Sequence, residues 1–217
     1  MILYTRNEDY WNAATHAIGF LGGAIALSYM LALSIMAYNV GAIVGLLLLS
    51  FGMLASYGAS TTYHAWPAWQ SYERERLRQL DHAAIYWHIA GSYAAVTLPI
   101  LECAGWWGVG LLAFVWTAAI IGTVVSFRGL REHSHIETLC FCLMGLSVLV
   151  IFPVFMRCVS SEAIFWLLAE GVAYIGGAVV YAFSHNRPYI HTVFHVCVLA
   201  GSAAHLAAVW WVLVDYL

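Results

Sequence analysis

Two imidazoles stand four residues apart in His191-Thr192-Val193-Phe194-His195. On a helix, positions i and i+4 share one face, and two His side chains at that spacing can clamp a metal ion. On their own they read rather as a hydrogen-bonded interfacial pair. His64, which closes an apolar run, and Asp81, which opens the next, change the balance. With the spans assigned below, these four ionisable groups come from three helices and meet at one depth. Such groups are costly inside a bilayer and normally face a partner or a cavity, so the convergence points to a metal centre. Three neutral imidazoles and a carboxylate suit Zn2+, which in catalytic sites keeps three protein ligands and an open position. His64, His191 and His195 are the expected ligands. Asp81 is expected beside the metal, holding or deprotonating a water there. Alternatively it is a fourth ligand, which would close the site and make it structural. Ser60 lies one turn before His64 and Ser56 one turn before that. A hydroxyl at Ser60 can bond a ligand's other ring nitrogen or a substrate carbonyl, or turn back onto its own helix.

Only membrane-spanning helices position these groups. The 217 residues are 63% hydrophobic and 9% charged, against about 25% charged in a soluble domain. Mean hydropathy is +0.82, and ten Trp suit interfacial aromatic belts. No Asp, Glu, Lys or Arg occurs from Tyr10 to Tyr72. That is too long for one span of about 20 residues and suits two, broken near Tyr38-Asn39. The prediction is one all-α domain of seven transmembrane helices, roughly 13–37, 41–66, 82–101, 106–127, 138–156, 163–184 and 189–214. The charged stretch from Glu73 to Arg78 is read as a loop, as is Arg128 to Glu137.

All eight basic residues are Arg. In this topology Arg6, Arg74, Arg76, Arg78, Arg128, Arg131 and Arg187 share one side, and only Arg157 lies on the other. Positive charge marks the cytoplasmic side, so the amino terminus is predicted cytoplasmic and the carboxyl terminus outside. His64, Asp81, His191 and His195 then sit at the cytoplasmic end. The opening residues lack the pattern of a cleaved secretory signal, so the first span is expected to stay in the mature protein.

Other polar residues have less defined expectations. Glu8, Asn12 and His16 form an i, i+4, i+8 row that either lines the same cavity or, for Glu8, is a solvated charge near a helix start. His205 follows His191 by fourteen residues, about 21 Å along a helix. It cannot share the metal, and it either lines an inner cavity or bonds another helix. Glu170 receives no role. His133, His135 and His185 are expected to be solvated. Gly171, Tyr174, Gly177 and Tyr181 read as helix packing. The five Cys sit mostly in apolar runs and read as small buried hydrophobes, without a disulfide framework. A net charge of −3 lacks the basic footprint that nucleic acid demands.

Several segments together resemble the hemolysin III family, within the larger group of progestin and adiponectin receptors and alkaline ceramidases. They are Glu8-x3-Asn12-x2-Thr15-His16, Ser60-x2-Tyr63-His64, Leu80-Asp81-His82-x2-Ile85-Tyr86-x2-Ile89-Ala90-Gly91-x-Tyr93, Gly177-x3-Tyr181, and His191-x3-His195-x9-His205. The seventeen-residue step from His64 to Asp81 is similar to the adiponectin-receptor spacing between a zinc-binding His and its nearby Asp. The resemblance implies seven spans, residence in the bacterial inner membrane and a zinc site near the cytoplasmic face. Because ceramidase activity is attributed to relatives, it also implies a lipid-active hydrolase. For the bacterial branch it implies membrane-lipid homeostasis or pore formation. One departure stands out: Ala94-Ala95 follows Tyr93 where the family usually continues Thr-Pro.

Two functions follow as expectations. One is a zinc-dependent hydrolase acting on an amide or ester of a membrane lipid, with Asp81 taking or holding the proton. No leaving-group acid is evident, and His82 and His16 are the candidates. The other is a non-catalytic sensor of membrane state, or a pore, in which zinc is structural.

Overall fold

In a computed structural model, which describes residues 4–67, 70–128, 136–182 and 187–217, the described residues fold into seven helices. They are α1 (Arg6–Met36), α2 (Val40–Ala65), α3 (Ser71–Thr97), α4 (Leu101–Arg128), α5 (Ile136–Cys158), α6 (Ser161–Ala182) and α7 (Ile190–Tyr216). All except α3 are long and apolar enough to cross a membrane. The surface is inverted relative to a soluble protein: Ile25, Ile120 and Val172 are exposed, while Asn12, Ser34, Thr97 and Ser126 are fully buried. In lipid only the interior offers polar groups a partner.

The break after α1 falls where turn chemistry predicts it. Tyr38 has φ 54°, and the Asn39 side chain accepts the Ala42 N–H at 2.9 Å to cap α2. Three helix starts differ most from expectation. α1 begins at Arg6, because Thr5 and Glu8 close a capping box that satisfies the first orphan N–H groups. α3 begins at Ser71, so the stretch from Glu73 to Arg78 is helix and not loop. Two of its three arginines are ion-paired: Arg78 bonds Glu75 at 2.7 and 2.8 Å, and the buried Arg74 reaches Asp9. α4 starts at Leu101 and bends at Gly105, whose φ of 55° is open to glycine.

α5 is not uniformly α-helical, since Ser147–Ile151 forms a 3-10 turn ahead of Pro153. Tyr93 of α3 repairs the broken ladder. Its hydroxyl bonds the Met144 and Gly145 carbonyls at 2.9 and 2.7 Å and accepts the Val148 N–H at 3.1 Å.

The expectation that no Cys is disulfide-bonded is corrected: Cys103 at the start of α4 is joined to Cys158 at the end of α5. Each Cys looked like a buried hydrophobe because the pairing depends on how two spans meet at one end of the bundle. Cys140, Cys142 and Cys197 are free thiols. At the same end, the Tyr216 hydroxyl donates to the Cys158 carbonyl at 2.5 Å, and Asn39 Nδ2 donates to the Tyr216 carbonyl at 3.1 Å.

The seam between α2 and α3 is the closest in the bundle. A Cβ added at Gly45 would lie 2.7 Å from the Ala94 carbonyl oxygen, and one at Gly91 would lie 2.5 Å from that of Leu48. Small residues let membrane helices approach backbone to backbone. α3 is unbroken to Thr97, and this seam fixes Asp81 relative to His64.

Candidate metal centre

His64 occupies the last turn of α2 and His191 and His195 the first two turns of α7. Their donor atoms lie within 4.8 Å of one another, and no other such group of three His, Cys, Asp or Glu occurs among the described residues. His64 and His195 are almost completely buried.

Ring orientation is set by what each outer nitrogen bonds. His64 Nδ1 lies 2.9 Å from Asp9 Oδ1. A carboxylate only accepts, so Nδ1 carries the proton and Nε2 keeps its lone pair. That buried Nε2 has no hydrogen-bond partner. His195 Nδ1 lies 3.1 Å from the Asn12 carbonyl oxygen, and the same logic leaves its Nε2 with a lone pair. His195 Nε2 is 3.0 Å from His191 Nε2. Nitrogens brought this close need a proton or a cation between them. Around a tetrahedral zinc with bonds of about 2.0–2.1 Å, ligand nitrogens would stand about 3.3 Å apart. His191 and His195 thus stand at a separation suited to one ion, and His64 offers a third donor within 4.8 Å of them.

Around these rings the packing is aromatic. His16 stacks parallel on His195 at 3.7 Å, and Tyr4 stacks on His191 at 4.9 Å. Burial pushes the Tyr4 phenol well above its ordinary range, so it is neutral. Asp81 is not among the converging donors. It lies on α3 next to His82 and near Ser60 and His64 of α2. Ser60 is buried one turn before His64. The arrangement thus offers three nitrogen donors for a Lewis acid with a carboxylate alongside.

Sequence reasoning did not pick out Asp9, Arg74 and Tyr4. Asp9, Asn12 and His16 are spaced i, i+3, i+7 and share a helix face, which is the signal that was available. The row that the sequence makes conspicuous begins instead at Glu8. Glu8 is neither solvated nor against the metal donors: Oε2 closes the capping box and Oε1 accepts the Tyr189 N–H at 2.9 Å. Asn12 also accepts from Thr192 Oγ1 at 2.6 Å. Glu170 and His205 account for each other, with Oε2 and Nδ1 2.8 Å apart between α6 and α7. His82 pairs with Glu137 at 3.0 Å. Tyr174 and Gly177 do pack α6 on α7, with the Tyr174 hydroxyl 2.8 Å from Ser202 Oγ. His133, His135, His185 and Arg131 lie outside the described residues.

Residues 4–206 match the family described as Haemolysin-III related. The chain is 31% identical over 200 residues to Hemolysin-3 of Bacillus cereus, covering 90% of this chain and 87% of that protein. It is 31% identical over 206 residues to the Hemolysin-3 homolog of Bacillus subtilis, covering 93% and 92%. It is also 25% identical over 171 residues to human Monocyte to macrophage differentiation factor, covering 73% and 66%. These bacterial relatives and six bilayer-length apolar helices make this a multi-pass bacterial membrane protein. From its architecture and its match over nearly the whole length, the chain belongs to the haemolysin III-related family.

Proposed function

We propose that this protein is a zinc-dependent hydrolase of an amide or ester bond in a membrane lipid, acting in membrane-lipid homeostasis. The observation that carries the reading is the convergence of His64, His191 and His195, with Asp81 beside them and outside the converging set. A closed structural site needs a fourth protein ligand, and a carboxylate held just outside leaves a position for a reacting group. His64, His191 and His195 would hold the ion, which supplies Lewis-acid polarisation of a carbonyl and activation of water. Asp81 takes and returns the proton, and Ser60 orients the Asp81 carboxylate or the substrate carbonyl. Tyr4 and His16 cover the ligand rings and limit bulk water. The arginine asymmetry puts this chemistry near the cytoplasmic face.

The competing reading is a non-catalytic sensor or pore with structural zinc, in which Asp81 is a ligand. Asp81→Asn separates the two. In the hydrolase, zinc stays at about one per chain while turnover of a lipid amide or ester falls about 10²-fold or more. Loss of zinc together with a large drop in thermal stability would move the assignment to structural zinc.

A further inference from the structure

We infer that Asp9, clamped by Arg74, is the positioning residue that presents His64 to the metal, so that the first two turns of α1 form the outer frame of the centre. The inference rests on the proposed metal site and adds residues to it from a helix that contributes no ligand. Arg74 NH2 bonds Oδ1 and Oδ2 of Asp9 at 2.9 and 2.8 Å, and NH1 bonds the Trp66 carbonyl at 2.7 Å. The carboxylate is thereby fixed between the start of α3 and the end of α2. Its Oδ1 is 2.9 Å from His64 Nδ1, which selects the tautomer whose lone pair points inward. Asn12 lies in the next turn of α1, and its carbonyl holds His195 Nδ1 at 3.1 Å. One short piece of α1 therefore holds the outer nitrogen of two ligands on two other helices. Asp9 and Arg74 are both buried, so solvation explains neither. A carboxylate on a ligand's second ring nitrogen raises its basicity and fixes its orientation, and removing such a partner typically weakens metal affinity about 10–100-fold.

A purely structural Asp9–Arg74 ion pair predicts something different, and a double variant separates the two roles. Wild type, Asp9→Asn and the double change Asp9→Asn with Arg74→Met are purified in detergent and stripped with a chelator. Each is then titrated with zinc against a chromophoric competitor, with the apo thermal midpoint recorded in parallel. Asp9→Asn strands a buried guanidinium and should lower the apo midpoint, and it should weaken zinc about 10–100-fold. Removing Arg74 as well should recover much of the apo midpoint while zinc affinity stays weak, because the carboxylate on Nδ1 is still missing. Wild-type zinc affinity in the double variant overturns the inference and leaves the metal centre standing. Wild-type protein that binds no zinc overturns both. If neither variant purifies folded, Asp9 is a folding residue and the inference is likewise overturned.

Discussion

Reducing the bond between Cys103 and Cys158 perturbs the end of the bundle remote from the metal centre. The two residues are 55 apart in sequence. The chain-entropy relation gives about 4 kcal/mol for closing a loop of that size in a freely unfolding chain. Here α4 and α5 remain inserted in lipid or detergent when tertiary contacts are lost, so part of that freedom is absent from the reference state. The expected loss for Cys103→Ser with Cys158→Ser is therefore about 2–4 kcal/mol, measured as an unfolding midpoint in mixed micelles. Alkylation counts the thiols directly. Unfolded but unreduced protein should take up three labels, at Cys140, Cys142 and Cys197, and reduced protein five. The bond also reports orientation, since disulfides persist outside the reducing cytoplasm. With the arginine-rich end inside, Cys103 and Cys158 face the oxidising compartment, and expression in cells lacking disulfide-forming catalysts should yield five reactive thiols. Five labels on unreduced protein from normal cells, or a double Ser variant as stable as wild type, would refute both the bond and the argument from it.

The double change His191→Ala and His195→Ala should abolish zinc binding in elemental analysis of protein that otherwise carries about one zinc per chain; retained metal refutes the ligand assignment. Arg74→Met leaves the Asp9 carboxylate buried without its guanidinium and should cost about 3–5 kcal/mol in an unfolding titration, against less than about 1 kcal/mol if the pair were solvated. A reporter fused after Leu217 should read the outer compartment, and cytoplasmic activity would overturn the proposed orientation.

The spans were legible because lipid imposes a length and apolarity that few other constraints mimic. Their boundaries were less so wherever a charge was buried in partnership. Arg74 looked like a loop residue because its partner, Asp9, is 65 positions away and belongs to another helix. The same distance concealed Asp9 as the residue that orients His64. His64, His191 and His195 were readable as a set because helix direction alone predicts their common depth. Glu170 and His205 each looked anomalous until α6 and α7 were packed together. The disulfide was invisible for a related reason: its partners lie 55 residues apart, at the ends of α4 and α5.

The backbone contact between α2 and α3 also bears on how the chain enters a membrane. α3 is not among the six helices apolar enough to cross by composition, and it carries Arg74, Arg76, Arg78, Asp81, His82 and His88. Arg74, Arg76 and Arg78 lie in its first two turns, on the cytoplasmic side in the proposed topology, and the span that follows carries Asp81, His82 and His88, polar groups that are costly in lipid without a partner. α2 is highly apolar and is synthesised just before it. Gly45 and Gly91 allow the two backbones to meet as soon as both have emerged. Entry of α2 and α3 as a hairpin would give the polar groups of α3 partners from the outset. A bulky side chain at Gly45 or Gly91 is then expected to impair entry of α3 as well as its packing in the finished bundle.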